Sequence, residues 1–318
     1  MGKVILTAAV GGLCSAALYL AVLGSIGALV LGYFAPLPLF LVGLSAGNLA
    51  VMAAGAVAAA GVGAFTGNPA VAGVFLVSVS IPVALVIRLA LLSRVGADGR
   101  REWCPPGPLL MSLTLYGLSG VLGTMGFALM GGQGLDVWIQ GMLKTGLAPI
   151  LEGTPGIGTP SDSLDALVET LAMVFSAMAV ASWLVMLSVN GALAQGLLSR
   201  WGMNRRPGAA MASLELPVWM AGMPLLIIPA ALLPGETVGI LARNILLILL
   251  VPFLFLGLAA LHRLAARGGA SRTVLLVAMY LFILFVGWPV VLVIGLGLIE
   301  HGLGLRRRTV AACPDKED

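Results

Sequence analysis

Apolar residues run in long unbroken blocks along this chain, and the polar ones gather in short gaps between them. Neither the 3.6-residue stripe of a surface helix nor the two-residue alternation of a half-buried strand dominates. A block of about 20 apolar residues is what crosses a hydrocarbon core as a helix. The pattern therefore predicts an all-α polytopic bundle, with spans over 4–23, 28–45, 49–65, 71–92, 109–130, 171–198, 218–233 and 238–261. The block 274–305 needs a decision. As one straight helix it would extend about 48 Å, well beyond a hydrocarbon core of ~30 Å. Folding it at Gly287-Trp288-Pro289 as a short hairpin keeps the arginines on either side of it (Arg263, Arg267 and Arg272; Arg306 to Arg308) on one side of the bilayer. About ten membrane segments are expected, with eight or nine as the alternative.

Between the fifth and sixth spans the pattern changes. Residues 135–150 are short and amphipathic, which suits a helix in the interface plane. Residues 152–165 are rich in Gly, Thr and Pro and read as a loop without a phosphate-cradling motif.

The second span departs most from a plain helix. It carries Pro36 and Pro38 with Gly32, Gly43 and Gly47. Each proline removes a backbone hydrogen bond, and the freed groups must be met by protein or by a water-lined cavity. A broken span predicts the wall of a ligand site. Ser78, Ser80 and Pro82 make the fourth span polar at its middle. Ser112, Thr114, Tyr116, Ser119 and Thr124 do the same for the fifth.

Arg243 lies inside the eighth span beside Asn244, with Glu236 seven residues earlier on roughly the same face. A charge within a span is a functional candidate. Either the arginine snorkels outward or pairs with Glu236, or it faces an anionic ligand. The candidate ligand set is Tyr33, Pro36, Pro38, Ser78, Ser80, Tyr116, Arg243 and Asn244. Asn190 and Gln195 are expected as partners between helices. On the first span, Ala8, Gly12 and Ala16 recur every four residues beside Gly11 and Ser15, a flat stripe that lets another helix approach closely. It serves either packing within the bundle or docking of a separate membrane partner.

Composition changes little in this picture and excludes much. Sixty per cent of the 318 residues are apolar and 9% are charged, against about 25% charged in soluble domains. The mean hydropathy is +1.09, so a soluble protein is excluded. The pI of about 9.3 does not point to nucleic acid, because the arginines sit in short clusters between apolar runs. Of the 17 Lys and Arg, all but Lys144 and Arg243 fall in or beside gaps on one side. That bias places both termini in the cytoplasm. The apolar run after Met1-Gly2-Lys3 continues for about 20 residues without a cleavage site and reads as a retained first span.

Candidate chemistry is sparse. Gly43-Leu44-Ser45-Ala46-Gly47 matches G-x-S-x-G, but His262 and His301 lie at predicted helix ends beside arginines, away from it. No base is placed to activate Ser45. Cys14, Cys104 and Cys313 are dispersed, so neither a disulfide framework nor a zinc site is expected. With no Walker motif, any energy source must be a separate protein. No catalysis, cofactor or metal is expected.

Three blocks carry a resemblance: YFAPLPLFLVGLSAG at 33–47, SWLVMLSVNGALAQGLLSRWGMNRRP at 182–207 and GWPVVLVIGLGLIEHGLGLRRR at 287–308. They look like the YybS-like family of bacterial membrane proteins, in its alphaproteobacterial branch. The resemblance implies a multi-pass protein of the inner membrane. More remotely, the first six spans resemble the substrate-binding (S) component of energy-coupling-factor vitamin transporters. Those components dock a coupling subunit through small residues on their first helix, which Ala8, Gly12 and Ala16 match, and paired ATPases supply the energy. The implied organisation is a six-span bundle over 1–206, four further segments over 207–308, and a polar cytoplasmic tail over 309–318. Two function classes follow: a substrate-binding or transport-related component without its own ATPase, or a scaffold that organises envelope proteins.

Overall fold

The computed structural model describes residues 2–22, 28–96, 99, 101–131, 135–152, 161–208, 214–233, 236–265 and 272–304. Its helices are α1 (Gly2–Ala21), α2 (Leu29–Gly32), α3 (Pro36–Ala46), α4 (Asn48–Thr66), α5 (Pro69–Phe75) and α6 (Ile81–Ala90). They continue with α7 (Pro106–Met130), α8 (Leu135–Glu152), α9 (Ser161–Arg200), α10 (Gly222–Ala231), α11 (Glu236–Ala265), α12 (Arg272–Val286) and α13 (Pro289–Gly304). Among the described residues, seven helical stretches are long and apolar enough to cross a membrane: 2–21, 29–46, 48–66, 69–90, 106–127, 165–200 and 238–265. Shorter apolar helices cover 218–231, 274–283 and 289–302. The protein is an all-α bundle embedded in a membrane. Its exposed Ile5, Leu6, Leu49, Phe65 and Phe127 are the outer surface of such a bundle, where lipid takes the place of water.

The chain divides into two compact units, and α7 and α9 each contribute to both. This division cuts the chain differently from the boundary expected near residue 206. At 40 residues, α9 is about 60 Å long, twice the hydrocarbon thickness, so its two ends have different neighbours.

The first unit holds residues up to Leu113 and Leu184–Pro217. In it α1 lies along α4 and α3. The stripe of Ala8, Gly12, Ser15 and Ala16 is the buried face of α1. A Cβ on Gly12 would strike the Ala54 carbonyl and come within 3.0 Å of Val57. Gly47 ends α3 at φ +100, which glycine alone adopts without strain, and α4 starts at once. The gap after α6 contains a small antiparallel hairpin, Ser93–Val95 with Arg101–Trp103. The cross-strand pair Arg94–Glu102, at 2.8 Å and half exposed, sits in register, and Gly99 turns at φ +74. Cys104 is buried, while Cys14 is free and exposed. Cys313 lies outside the described residues.

The second unit holds Thr114–Trp183 and Val218–Arg308. Helix α8 covers the predicted amphipathic segment, and its Ile139 and Leu143 pack on Val168 and Ala172 of α9. An exposed ion pair, Lys144–Asp165 at 2.7 Å, ties the same helices. Most of the predicted loop over 152–165 lies outside the described residues. Helix α13 packs tightly along α11, whereas α12 touches either only lightly. A Cβ on Gly257 would strike the Val293 carbonyl, and one on Gly297 the Phe253 carbonyl. These two glycines let the backbones of α11 and α13 nearly touch. The helix breaks between Val286 and Pro289, with Gly287 at φ +75, where Gly287-Trp288-Pro289 predicts it.

Candidate functional site

The break between α2 and α3 shows where the freed backbone groups of the second span go. Pro36 and Pro38 lie in the first turn of α3, where a missing N–H costs least. Ahead of them the backbone tightens: Phe34 N donates to Leu31 O, Ala35 N to Gly32 O and Leu37 N to Phe34 O, each at 3.0 Å. The Tyr33 carbonyl therefore loses both ordinary helical donors. Residue 36 is a proline, and the amide of Leu37 is spent on Phe34. Asn190 of α9 replaces them, its Nδ2 donating to Tyr33 O at 2.8 Å. Ser15 of α1 donates its hydroxyl to Ala35 O at 2.7 Å. Both side chains are fully buried. Protein, and not a water-lined cavity, meets these groups.

A second irregularity interrupts the span 69–90. Leu76–Ser80 forms a π-helical turn in which Ile81 N donates to Leu76 O, just ahead of Pro82. Single π turns of this kind recur at functional sites. The serines here do not converge. Ser78 is half-buried and donates to Val74 O of its own helix at 2.7 Å. Ser80 is buried against α4, where a Cβ on Gly55 would strike its hydroxyl.

At the other end of α3, two arginines that sequence reasoning treated as loop charges cap helices. Arg205 donates through its main-chain N to Leu44 O at 3.1 Å and through Nε to Ser45 O at 3.0 Å. Arg206 is buried and donates through Nη1 to Ala90 O, at the end of α6, at 3.0 Å. Orphan carbonyls and the negative end of the helix dipole both favour a cation there. Burial pushes the Arg206 guanidinium below its ordinary pKa. Its own carbonyl accepts from Gln195 Nε2 at 3.0 Å and Asn204 Nδ2 at 2.6 Å. Runs of arginine after an apolar block, next to a helix end, are the signal that would have found these caps. Ser45 donates back to Leu41 O at 2.6 Å, so its hydroxyl serves its own helix.

In the second unit, the buried Asn244 engages α9 with both ends of its amide. Ala177 N donates to Oδ1, and Nδ2 donates to Met173 O and to Ile240 O, all at 2.8 Å. Ala177 N and Met173 O are the two groups that ordinarily pair as one rung of α9. Arg243 is exposed and turns back on its own helix, Nε to Gly239 O at 3.1 Å. The Glu236 side chain lies outside what is described. Tyr116 stacks on Trp183 with centroids 5.8 Å apart. Near the ends of α11 and α13, Arg263 pairs with Glu300 at 2.9 Å and His301 is buried edge-on to Phe253.

The predicted ligand residues thus divide. Tyr33, Pro36, Pro38, Ser78 and Ser80 belong to the first unit, and Tyr116, Arg243 and Asn244 to the second. The stripe of Ala8, Gly12 and Ala16 is covered by α4 of the same chain, so this face is taken by packing within the bundle. Ser15, expected only as a small neighbour of that stripe, is a hydrogen-bond donor to the break. Comparison with protein-family profiles, with curated proteins and with solved structures returns no match.

Proposed function

We propose that this chain is a multi-pass protein of the bacterial inner membrane that works by binding and not by catalysis. In this reading it is a substrate-binding or transport-related component that depends on a separate coupling subunit and ATPases. The likeness of the first six spans to an S-component and of the whole to the YybS-like family belongs to this proposal. So do the ten-segment topology and the cytoplasmic termini. One observation carries it: two backbone irregularities, the break at Tyr33–Ala35 and the π turn at Leu76–Ser80, lie inside apolar spans of one unit. Irregular backbone at membrane depth survives where protein polar groups meet it, and broken helices of this kind build solute and ion sites in transporters. Purification of the tagged chain in mild detergent tests it, with a thermal-shift screen of vitamins and nucleobases. A co-purifying ATPase and coupling subunit, or a ligand shift, supports transport. Neither one appearing would overturn it.

A second reading, a scaffold for envelope proteins, draws on Asn244 and Ser45, whose polar groups are spent inside the protein. Co-purification of division or wall-synthesis proteins without an ATPase would favour it.

A further inference from the structure

The cations of the first unit gather at one of its ends. Helices α1 and α4 run in the same direction, since Gly12 meets Ala54 and Val57 while Gly61 meets Ala16. Lys3, at the start of α1, therefore lies at the same end as the corner between α3 and α4 at Gly47. Gly202, at φ +65, turns the chain out of α9 just after Arg200 and leads it to Arg205 and Arg206. Their bonds to Ser45 O and Ala90 O bring the ends of α3 and α6 to this end as well. Arg88 sits in the last turn of α6. Cys104 N donates to Leu92 O at 3.1 Å, so the hairpin that carries Arg94 and Arg101 also starts from here.

Little negative charge answers these cations. Among the described residues the unit holds two acids, Glu102 and Glu215, and Glu102 is spent on Arg94. Lys3, Arg88 and Arg200 are exposed, and no described acid pairs with them. Arg205 spends Nε on Ser45 O and lays Nη1 over Gly47, where a Cβ would come within 2.7 Å. Its guanidinium is thus held in place while its charge meets no carboxylate. Trp201 and Met203, 61% and 58% exposed, stand between Arg200 and Arg205 in the chain. Arg101 lies over the Trp103 ring at 5.8 Å. Exposed apolar side chains among unanswered cations, at the end of a lipid-facing bundle, match the headgroup layer, where aromatic rings and basic side chains both settle.

We propose that this end of the first unit is a docking surface for anionic phospholipid headgroups of the phosphatidylglycerol type. Lys3, Arg88, Arg200 and Arg205 supply the charge, and Trp201 and Met203 the apolar contact. Charge complementarity selects the lipid. A zwitterionic headgroup carries its own cation, whereas a phosphodiester on an uncharged alcohol leaves its negative charge to the arginines, whose planar fork suits phosphate. Free phosphate would meet the cations and leave Trp201 and Met203 uncovered. This inference goes beyond the proposed function: the lipid contact stands whether or not a solute binds.

Native mass spectrometry and thermal unfolding of the full-length protein in an uncharged detergent test it, with phosphatidylglycerol, phosphatidylcholine or inorganic phosphate added. Binding to the folded state raises the melting temperature in a saturable way. The expected result is retained phosphatidylglycerol and a saturable rise that phosphatidylcholine and inorganic phosphate do not match, weakening as salt is added. Arg200→Gln and Arg205→Gln should each weaken the apparent affinity about fivefold, the share of one basic side chain near an anionic surface. Lys144→Gln, which removes the same charge from the second unit, should leave it unchanged. Equal retention of the two lipids would overturn the surface as a general lipid effect. A rise of the same size in inorganic phosphate would overturn it as a site for free anions. Unchanged affinity in Arg200→Gln, whose side chain caps no helix, would overturn the assignment to these residues. The comparison among lipids needs only the wild-type chain, so a variant that fails to fold does not remove the test.

Discussion

Asn244 and Ala177 meet across 2.8 Å, the side-chain oxygen of one accepting from the main-chain amide of the other. Because Nδ2 of the same asparagine donates to Met173 O, the amide stands between two groups that form one rung of α9. Removing it leaves two partners that can find each other again. Asn244→Ala should therefore lower stability by about 1 kcal/mol, in the range of membrane interhelical hydrogen bonds. Reversible unfolding in detergent would measure it, and a loss several times larger would show that the rung does not re-form.

Asn190 provides the contrast. With Asn190→Ala the Tyr33 carbonyl has no helical donor to return to, because Pro36 lacks the N–H and Leu37 N is committed to Phe34. The expected cost is about 1–3 kcal/mol, that of a buried acceptor left unmet. Combining the change with Pro36→Ala restores a possible donor at position 36. A double-mutant cycle should show a coupling of about 0.5–3 kcal/mol between positions 36 and 190. Strict additivity would sink this account of the break.

The arginine caps predict an order of effects. Arg206→Gln removes a buried donor from the Ala90 carbonyl and should destabilise by about 1–3 kcal/mol. Arg205→Gln removes an exposed side-chain bond but keeps its main-chain bond to Leu44 O, so its cost should stay near 0.5 kcal/mol. Melting temperatures of the two variants, compared in one detergent, check the order.

The seam between α11 and α13 has no space for a side chain at Gly257 or Gly297. Gly297→Val should destabilise by more than about 2 kcal/mol, because the new atoms meet the Phe253 carbonyl and not a yielding side chain. Gly295→Val, where a Cβ meets nothing within 4 Å, should be close to neutral. Expression and detergent stability of the pair make the measurement.

For the ten-segment topology, a reporter fused at Trp288 should score as periplasmic, with fusions after Arg200 and at the C-terminus cytoplasmic. A cytoplasmic score at Trp288 would remove the hairpin.

The apolar blocks, their lengths and the glycine-proline steps between them determined by themselves that this is a helical membrane protein. They also located its breaks at Pro36 and at Gly287-Trp288-Pro289, because block length and proline act locally, whatever the neighbours. Only the tertiary structure decided what each polar residue in a span is for. The sequence reading named Tyr33 and Asn244 as ligand candidates and Asn190 as a helix partner; in the structure each takes part in a bond between a backbone carbonyl or amide and a side chain from another helix. A lone asparagine or serine in an apolar block carries no sign of its partner, since that partner is a main-chain group up to 157 residues away in the chain. The same holds for Ala8, Gly12 and Ala16: their spacing announces a close approach, and only the packed bundle shows that the approaching helix is α4.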